Sequence, residues 1–181
     1  QRTASRVCEL YFKFGKKKRT SPLALSTLSE PCTALALMLS LARSVPTADA
    51  TMKRGVWDKK KLTGAELRGK TLGLCGLGRI GQEVAARARA FGMETVAHDP
   101  FISENVAAAL GIKLLSLDGM CEVADYISLH LPATTETRHL FDRTRFAKCK
   151  RGMRIVNTAR GELIDEILAA LADEIGIEQV E

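Results

Sequence analysis

KTLGLCGLGRIG, from Lys70 to Gly81, sets a short apolar run, Thr71 to Cys75, directly ahead of glycines spaced G-x-G-x-x-G. A helical pattern from Gln82 to Phe91 follows. Strand, glycine turn and helix in that order make the first unit of a dinucleotide-binding fold. Each glycine has a separate physical task. Gly76 allows the tight turn, Gly78 lets the backbone approach a pyrophosphate, and Gly81 lets the helix pack close to the strand. The free amides and positive dipole end of the helix then face the anion.

Glycine-rich turns are common, so the flanks carry the specificity. A second strand, Thr95 to His98, ends in Asp99, 23 residues beyond Gly76. About 20 residues is the spacing expected of a carboxylate that accepts hydrogen bonds from a ribose diol. Further along, Ile112 to Leu115, Tyr126 to Leu131 and Arg154 to Ala159 read as strands. Between them, Glu104 to Leu110, Leu117 to Ala124 and Thr144 to Lys150 read as helices, and another is expected from Glu162 to about Glu174. Strands alternating with helices specify an α/β fold, a Rossmann-type doubly wound parallel sheet with right-handed crossovers. Ligands bind beyond the carboxyl ends of such strands. That rim collects Gly76 to Gly81, Asp99-Pro100, His130-Leu131-Pro132 and Thr158-Ala159-Arg160.

Upstream, a helical pattern begins at Pro22 and strengthens after Pro31. Leu35, Leu37, Met38, Leu39, Leu41 and Ala42 make it apolar nearly all round, as expected of a helix at a domain or subunit boundary. Pro46 is expected to end it, and Thr47 to Arg54 to form a second short helix closed by Gly55. Trp57, the only tryptophan, is an interface anchor or a loop-packing residue. The organisation expected is a basic tail or remnant over 1–25, a helical interdomain or dimerisation segment over 26–62, and a dinucleotide-binding domain over 63–181.

Charge is concentrated in the tail. The net charge of +6 is carried entirely by residues 1–22, where seven basic residues oppose Glu9. The run Lys16 to Arg19 reads as a solvated tail; without interleaved aromatics it is not expected to bind nucleic acid. Five scattered cysteines lack C-x-x-C spacing or a histidine cluster. No metal is expected, and reduced thiols suit a cytoplasmic protein. The longest apolar window, Ala34 to Ala42, is too short to span a bilayer.

GLCGLGRIG, HDP, SLHLPATTETRHLF and IVNTARGELIDE together resemble the D-2-hydroxyacid dehydrogenase family. LARSVPTADATMKRGVWDKKKLTGAELRGKTLG and FAKCKRGMRIVNTARG are most similar to its branch acting on D-3-phosphoglycerate. The likeness runs from about Ser26 to Asp165. It implies an NAD-dependent oxidoreductase acting on the CH–OH group of a 2-hydroxy acid, with D-3-phosphoglycerate going to 3-phosphohydroxypyruvate in serine biosynthesis. By resemblance, the Arg79 and Ile80 amides hold the NAD pyrophosphate and Asp99 the adenosine ribose. Pro100, the turn His130-Leu131-Pro132, Thr158 and Ala159 line the cofactor, and Thr27 touches its nicotinamide half. Arg160 matches the family's substrate arginine, whose planar fork binds the carboxylate of a 2-hydroxy or 2-oxo acid bidentately. The family's catalytic histidine and its glutamate partner belong to segments C-terminal to this likeness, and its substrate-holding first domain precedes it. The chain alone is therefore expected to be inactive, and a homo-oligomer is expected. The alternative is a non-enzymatic NAD-binding module or truncated pseudoenzyme of the same family.

Overall fold

A computed structural model describes residues 23–165 apart from Asp58 and Lys61, with side chains from Glu30 onward. The strands are β1 (Thr71–Cys75), β2 (Glu94–His98), β3 (Lys113–Leu114), β4 (Tyr126–Leu129) and β5 (Arg154–Asn157). The helices are α1 (Leu23–Arg43), α2 (Val45–Lys53), α3 (Arg79–Ala90), α4 (Glu104–Ala109), α5 (Leu117–Val123) and α6 (Arg143–Phe146). All strand pairs are parallel, and the sheet order is β3-β2-β1-β4-β5. The chain winds outward from β1 to β3, then returns to lay β4 along the other side of β1. This doubly wound, Rossmann-type order puts a crevice at the carboxyl end of the β1–β4 seam, where the winding reverses.

Register aligns the rim. Cys75 stands opposite His98 on one side and Leu129 on the other, and Leu129 opposes Asn157. The turns that follow these residues therefore emerge in one row. Period-2 alternation splits the core between the two faces of the sheet. Leu72, Leu74 and Val156 pack with α1 and α3, while Cys75, Ile127, Leu129 and Ile155 pack with α5 and α6. Gly81, Val84, Ala85 and Ala88 form the buried stripe of α3, the i, i+3, i+4, i+7 spacing of a helix lying on a sheet. Each fully buried leucine here contributes about 1.5–3 kcal/mol.

α1 begins next to Pro22, as expected, and runs unbroken through Pro31, which removes only the hydrogen bond to the Thr27 carbonyl. Several other boundaries depart from the pattern reading. α1 ends at Arg43 because Ser44 takes a left-handed φ of 51°. Pro46 does not end it; it occupies the first turn of α2, where a missing N–H costs nothing. The burial of Ala34, Leu37, Met38 and Leu41 comes from α3 and β5 of the same chain. α2 buries no residue, and Trp57 is 72% exposed. β3 is two residues long, β5 stops at Asn157, and α6 is a single turn from Arg143, so Cys149 lies in the turn after it. The helix expected from Glu162 is replaced over Gly161–Leu163 by a 3-10 turn, after which Ile164 bridges to Phe141. Leu163 and Ile164 are buried there among Phe141 and Phe146, a packing that local helix propensity could not anticipate. Residues 1–22, the run Lys16 to Arg19 and the remainder of that expected helix lie outside the described residues.

Candidate functional site

Backbone geometry shapes the glycine turn. Gly76 has φ +93°, and a side-chain carbon on it would stand 2.7 Å from the His130 carbonyl oxygen. A carbon on Gly81 would run into the Gly76 carbonyl, so α3 can sit this close to β1 only with glycine there. Gly78 is different: its missing side chain faces open space, and it is the N-cap of α3 with no side-chain cap. The first intrahelical bond is donated by the Gln82 amide to the Gly78 carbonyl, at 3.0 Å. Helix geometry leaves the Arg79 and Ile80 amides without intrahelical acceptors, at the positive end of a 12-residue helix. An uncovered glycine beside free amides fits a phosphate-bearing cofactor.

Asp99 holds this turn in place. One carboxylate oxygen accepts from the Leu77 amide at 2.7 Å, and the other from the Phe101 amide at 2.9 Å. Each oxygen keeps a lone pair free. The half-buried carboxylate can therefore still accept from a ribose while anchoring the loop. The Gly76 amide donates to the His98 carbonyl at 2.9 Å, which joins the turn to β2. The Gln82 side chain donates back to the Leu77 carbonyl at 2.9 Å.

His130 supports the turn from below. Its amide donates to the Cys75 carbonyl at 2.8 Å, and its ring Nε2 lies 2.9 Å from the hydroxyl of fully buried Ser128. Burial pushes its pKa down to about 4, so the ring is neutral at physiological pH. Leu131 packs beside Gly76, and the Pro132 carbonyl accepts from the Thr137 hydroxyl at 2.7 Å. His98 is engaged elsewhere, with Nδ1 3.2 Å from the Leu115 carbonyl. His139 is exposed, and its amide donates to the Glu162 carbonyl at 2.7 Å.

At the end of β5, Asn157 organises the turn. Its side chain accepts from the Ala159 amide at 3.1 Å and donates to the Arg160 carbonyl at 2.9 Å. Thr158 and Ala159 are half-buried on the rim, while Arg160 is exposed. The Arg160 guanidinium folds onto the neighbouring Ala159 carbonyl at 2.8 Å. Pro100 is exposed at its expected corner, and the side chain of Thr27 falls outside the described ones. The structure thus gathers every other residue expected at the site onto one rim. Gln82, Ser128 and Asn157 were missed. Gln82 had a signal, standing right after the last glycine on the first helical turn, as did Asn157 within NTARG. Among the described residues no group of His, Cys, Asp and Glu is arranged to hold a metal, and no helix is long and apolar enough to cross a membrane.

A family model described as the D-isomer specific 2-hydroxyacid dehydrogenase NAD binding domain matches residues 35–178. D-3-phosphoglycerate dehydrogenase of Rattus norvegicus is 52% identical over 130 residues, which are 72% of this chain and 24% of that protein. The enzyme of that name from Mycobacterium bovis is 54% identical over 142 residues, 78% of this chain and 26% of that protein. Among solved structures, apo D-lactate dehydrogenase of Escherichia coli superposes with a TM-score of 0.79 at 34% identity, covering 83% of this chain and 48% of that one. D-lactate dehydrogenase of Aquifex aeolicus, complexed with NAD and lactic acid, gives 0.79 at 32% identity, covering 86% and 46%. The chain therefore spans about a quarter of the length of these curated relatives and just under half of these structures. With the family model matched along most of its length and an open glycine turn at the switch point of a Rossmann-type sheet, the chain belongs to the D-isomer-specific 2-hydroxyacid dehydrogenases, a family of NAD-dependent oxidoreductases, as their NAD-binding domain.

Proposed function

We propose that this chain is the cofactor-binding part of an enzyme that oxidises D-3-phosphoglycerate to 3-phosphohydroxypyruvate. The observation carrying this reading is the grading of likeness. Relatives bearing the phosphoglycerate name are 52% and 54% identical. A lactate dehydrogenase, a glyoxylate reductase and a formate dehydrogenase of the same fold stand at 34%, 36% and 27%. In this reading the Arg79 and Ile80 amides bind the pyrophosphate across the open face of Gly78. Asp99 accepts from the adenosine ribose, and Pro100, the 130–132 turn, Thr158 and Ala159 line the cofactor, with Thr27 near its nicotinamide half. Arg160 swings off the Ala159 carbonyl to pair with the substrate carboxylate. Residues 63–181 form the NAD unit, and 26–62 carry the link to a further domain or a second subunit. The exposed Val45, Met52, Val56 and Trp57 support that assignment and a homo-oligomer.

Bound NAD supplies the hydride acceptor. The alcohol's hydroxyl proton must then pass to a base within hydrogen-bond reach. Each of the three histidines is committed or remote: His130 to Ser128, His98 to Leu115, and His139 on an exposed turn. This placement favours a chain that binds NAD yet does not turn substrate over by itself, so a cofactor-binding module is the second reading. Calorimetry is expected to give tighter binding of NAD than of NADP, because Asp99 repels a 2′-phosphate and Pro100-Phe101 supply no compensating cation. Equal or tighter NADP binding would overturn the role of Asp99. NADH absorbance with excess phosphoglycerate should stay flat for this chain and rise for the longer protein containing it. A longer protein preferring lactate would overturn the substrate.

A further inference from the structure

The glycine turn sorts its peptide groups by direction. Three consecutive carbonyls, those of Gly76, Leu77 and Gly78, face the first turn of α3. The Gly76 oxygen fills the space where a side-chain carbon on Gly81 would stand. The Gly78 oxygen accepts from the Gln82 amide at 3.0 Å, and the Leu77 oxygen accepts from the Gln82 side chain at 2.9 Å. The peptide bonds here are trans, so each N–H points away from the carbonyl of its own peptide unit. The Leu77 amide is taken by Asp99 at 2.7 Å. The next three, on Gly78, Arg79 and Ile80, have no acceptor among the described residues. Successive free amides of this kind accept an anion. Of the three carbonyls, only that of Leu77 is held by a side chain.

We propose that Gln82 is a positioning residue that sets the polarity of the phosphate turn. Its side-chain amide fixes the Leu77–Gly78 peptide with the carbonyl toward α3 and the N–H toward the cofactor phosphates. This rests on the cofactor-binding reading above and adds to it a residue that touches no ligand. Without Gln82 the peptide has an alternative. The Leu77 side chain is fully buried and its amide is anchored on Asp99, so the residue itself stays in place. The peptide plane after it can still rotate, through ψ of Leu77 and φ of Gly78. Gly78 tolerates that flip, because a glycine adopts positive φ without strain and the space beside it is open. A flipped plane aims the Leu77 carbonyl at the phosphates and withdraws the Gly78 donor. The glycine that permits close approach thus leaves the plane free to turn, and Gln82 removes that freedom. Its backbone amide also makes the first bond of α3, so one residue registers both the helix and the turn.

The test titrates the full chain, isotope-labelled for NMR, with adenosine and with ADP, which differ by the pyrophosphate. In the unmutated chain, ADP should move the Gly78 amide resonance downfield, whereas adenosine should barely shift it. Gln82→Met keeps the length of the side chain and removes the donor. It should weaken ADP by about tenfold or more, the scale of one hydrogen bond to a charged group. Adenosine, which needs Asp99 but not the amides of the turn, should stay within about twofold. Equal losses for the two ligands would overturn the proposal, since general damage to the fold produces that result. Unchanged ADP affinity in Gln82→Met would overturn it too. So would a Gly78 resonance that ADP leaves in place, a measurement that stands even if the variant fails to fold. Should ADP not bind the unmutated chain at all, the cofactor site itself is refuted and the proposal with it. Where ADP binds and only the Gln82 result fails, the cofactor site survives and the role of Gln82 falls.

Discussion

The glycine turn and the Arg160 turn emerge from the same row of strand ends, yet they are built in opposite ways. Around Gly76 to Gly81, backbone and side chains are tied to three other elements through Asp99, His98, Gln82 and His130. Around Arg160, hydrogen bonds stay within the turn itself, and the guanidinium rests on its neighbour's carbonyl. A site for the cofactor is thus preorganised within this chain. Arg160, the arginine proposed to meet the substrate, has its guanidinium held only by the neighbouring Ala159 carbonyl among the described residues. Preorganisation matters because ordering a loop or a long side chain on binding costs affinity.

Gly81→Ala should be the most damaging change to the preorganised side. The new carbon meets backbone rather than a flexible side chain, so α3 must move off β1, at about 3 kcal/mol or more. Urea denaturation and NAD titration should both register it. Unchanged NAD affinity would show that the close approach is not needed.

The next effect depends on pH. His130 has a pKa of about 4 in the folded chain, against an ordinary 6.5. Between those values the unfolded chain takes up a proton that the folded chain refuses. Stability is therefore complete above pH 6.5 and falls on acidification, by at most about 3 kcal/mol by pH 4. His130→Gln should flatten that part of the profile measured by denaturation at several pH values. Parallel profiles for parent and variant would mean the ring is not shielded from water.

Asp99→Ala comes third. It strands the Leu77 amide, at a cost of about 1–3 kcal/mol, and weakens NAD binding as well. Asp99→Asn keeps one acceptor oxygen, so it should recover part of the stability. If asparagine and alanine behave alike, the anchoring role is wrong. Arg160→Ala, on the loosely built side, should shift the stability of this chain by no more than about 0.5 kcal/mol and leave NAD affinity unchanged. In the longer protein, Arg160→Lys should weaken binding of a 2-oxo acid by about 1.5–3 kcal/mol, since the charge survives but the fork does not. A large loss of stability in Arg160→Ala would erase the contrast between the two turns.

How legible these turns were follows from what each depends on. The G-x-G-x-x-G spacing, the distance to Asp99 and the alternation of strands with helices are local and periodic, so the sheet and its rim could be read directly. Two boundaries could not. Pro46 opens α2 instead of ending α1, because the chain already turns at Ser44 with its left-handed φ. The 3-10 turn at Gly161–Leu163 exists because Leu163 and Ile164 are drawn into a core built by Phe141 and Phe146, a tertiary contact overriding a local rule. The bond of His130 to Ser128 likewise requires knowing which side of β4 the ring occupies.

The seam between β1 and β4 also dictates the order in which the molecule can assemble. β1, α3 and β2 are consecutive and can pair as a local unit. β4 must join β1 from far along the chain: the Thr71 amide finds the Asp125 carboxylate across 54 residues. Closing so long a loop costs entropy before any contact rewards it, which makes this pairing the slow, non-local step of folding. The Gly76 turn lies at that seam, against the His130 carbonyl. Competence to bind the cofactor therefore comes with the late closure, and a ligand that recognises only the closed state draws the chain toward it by mass action.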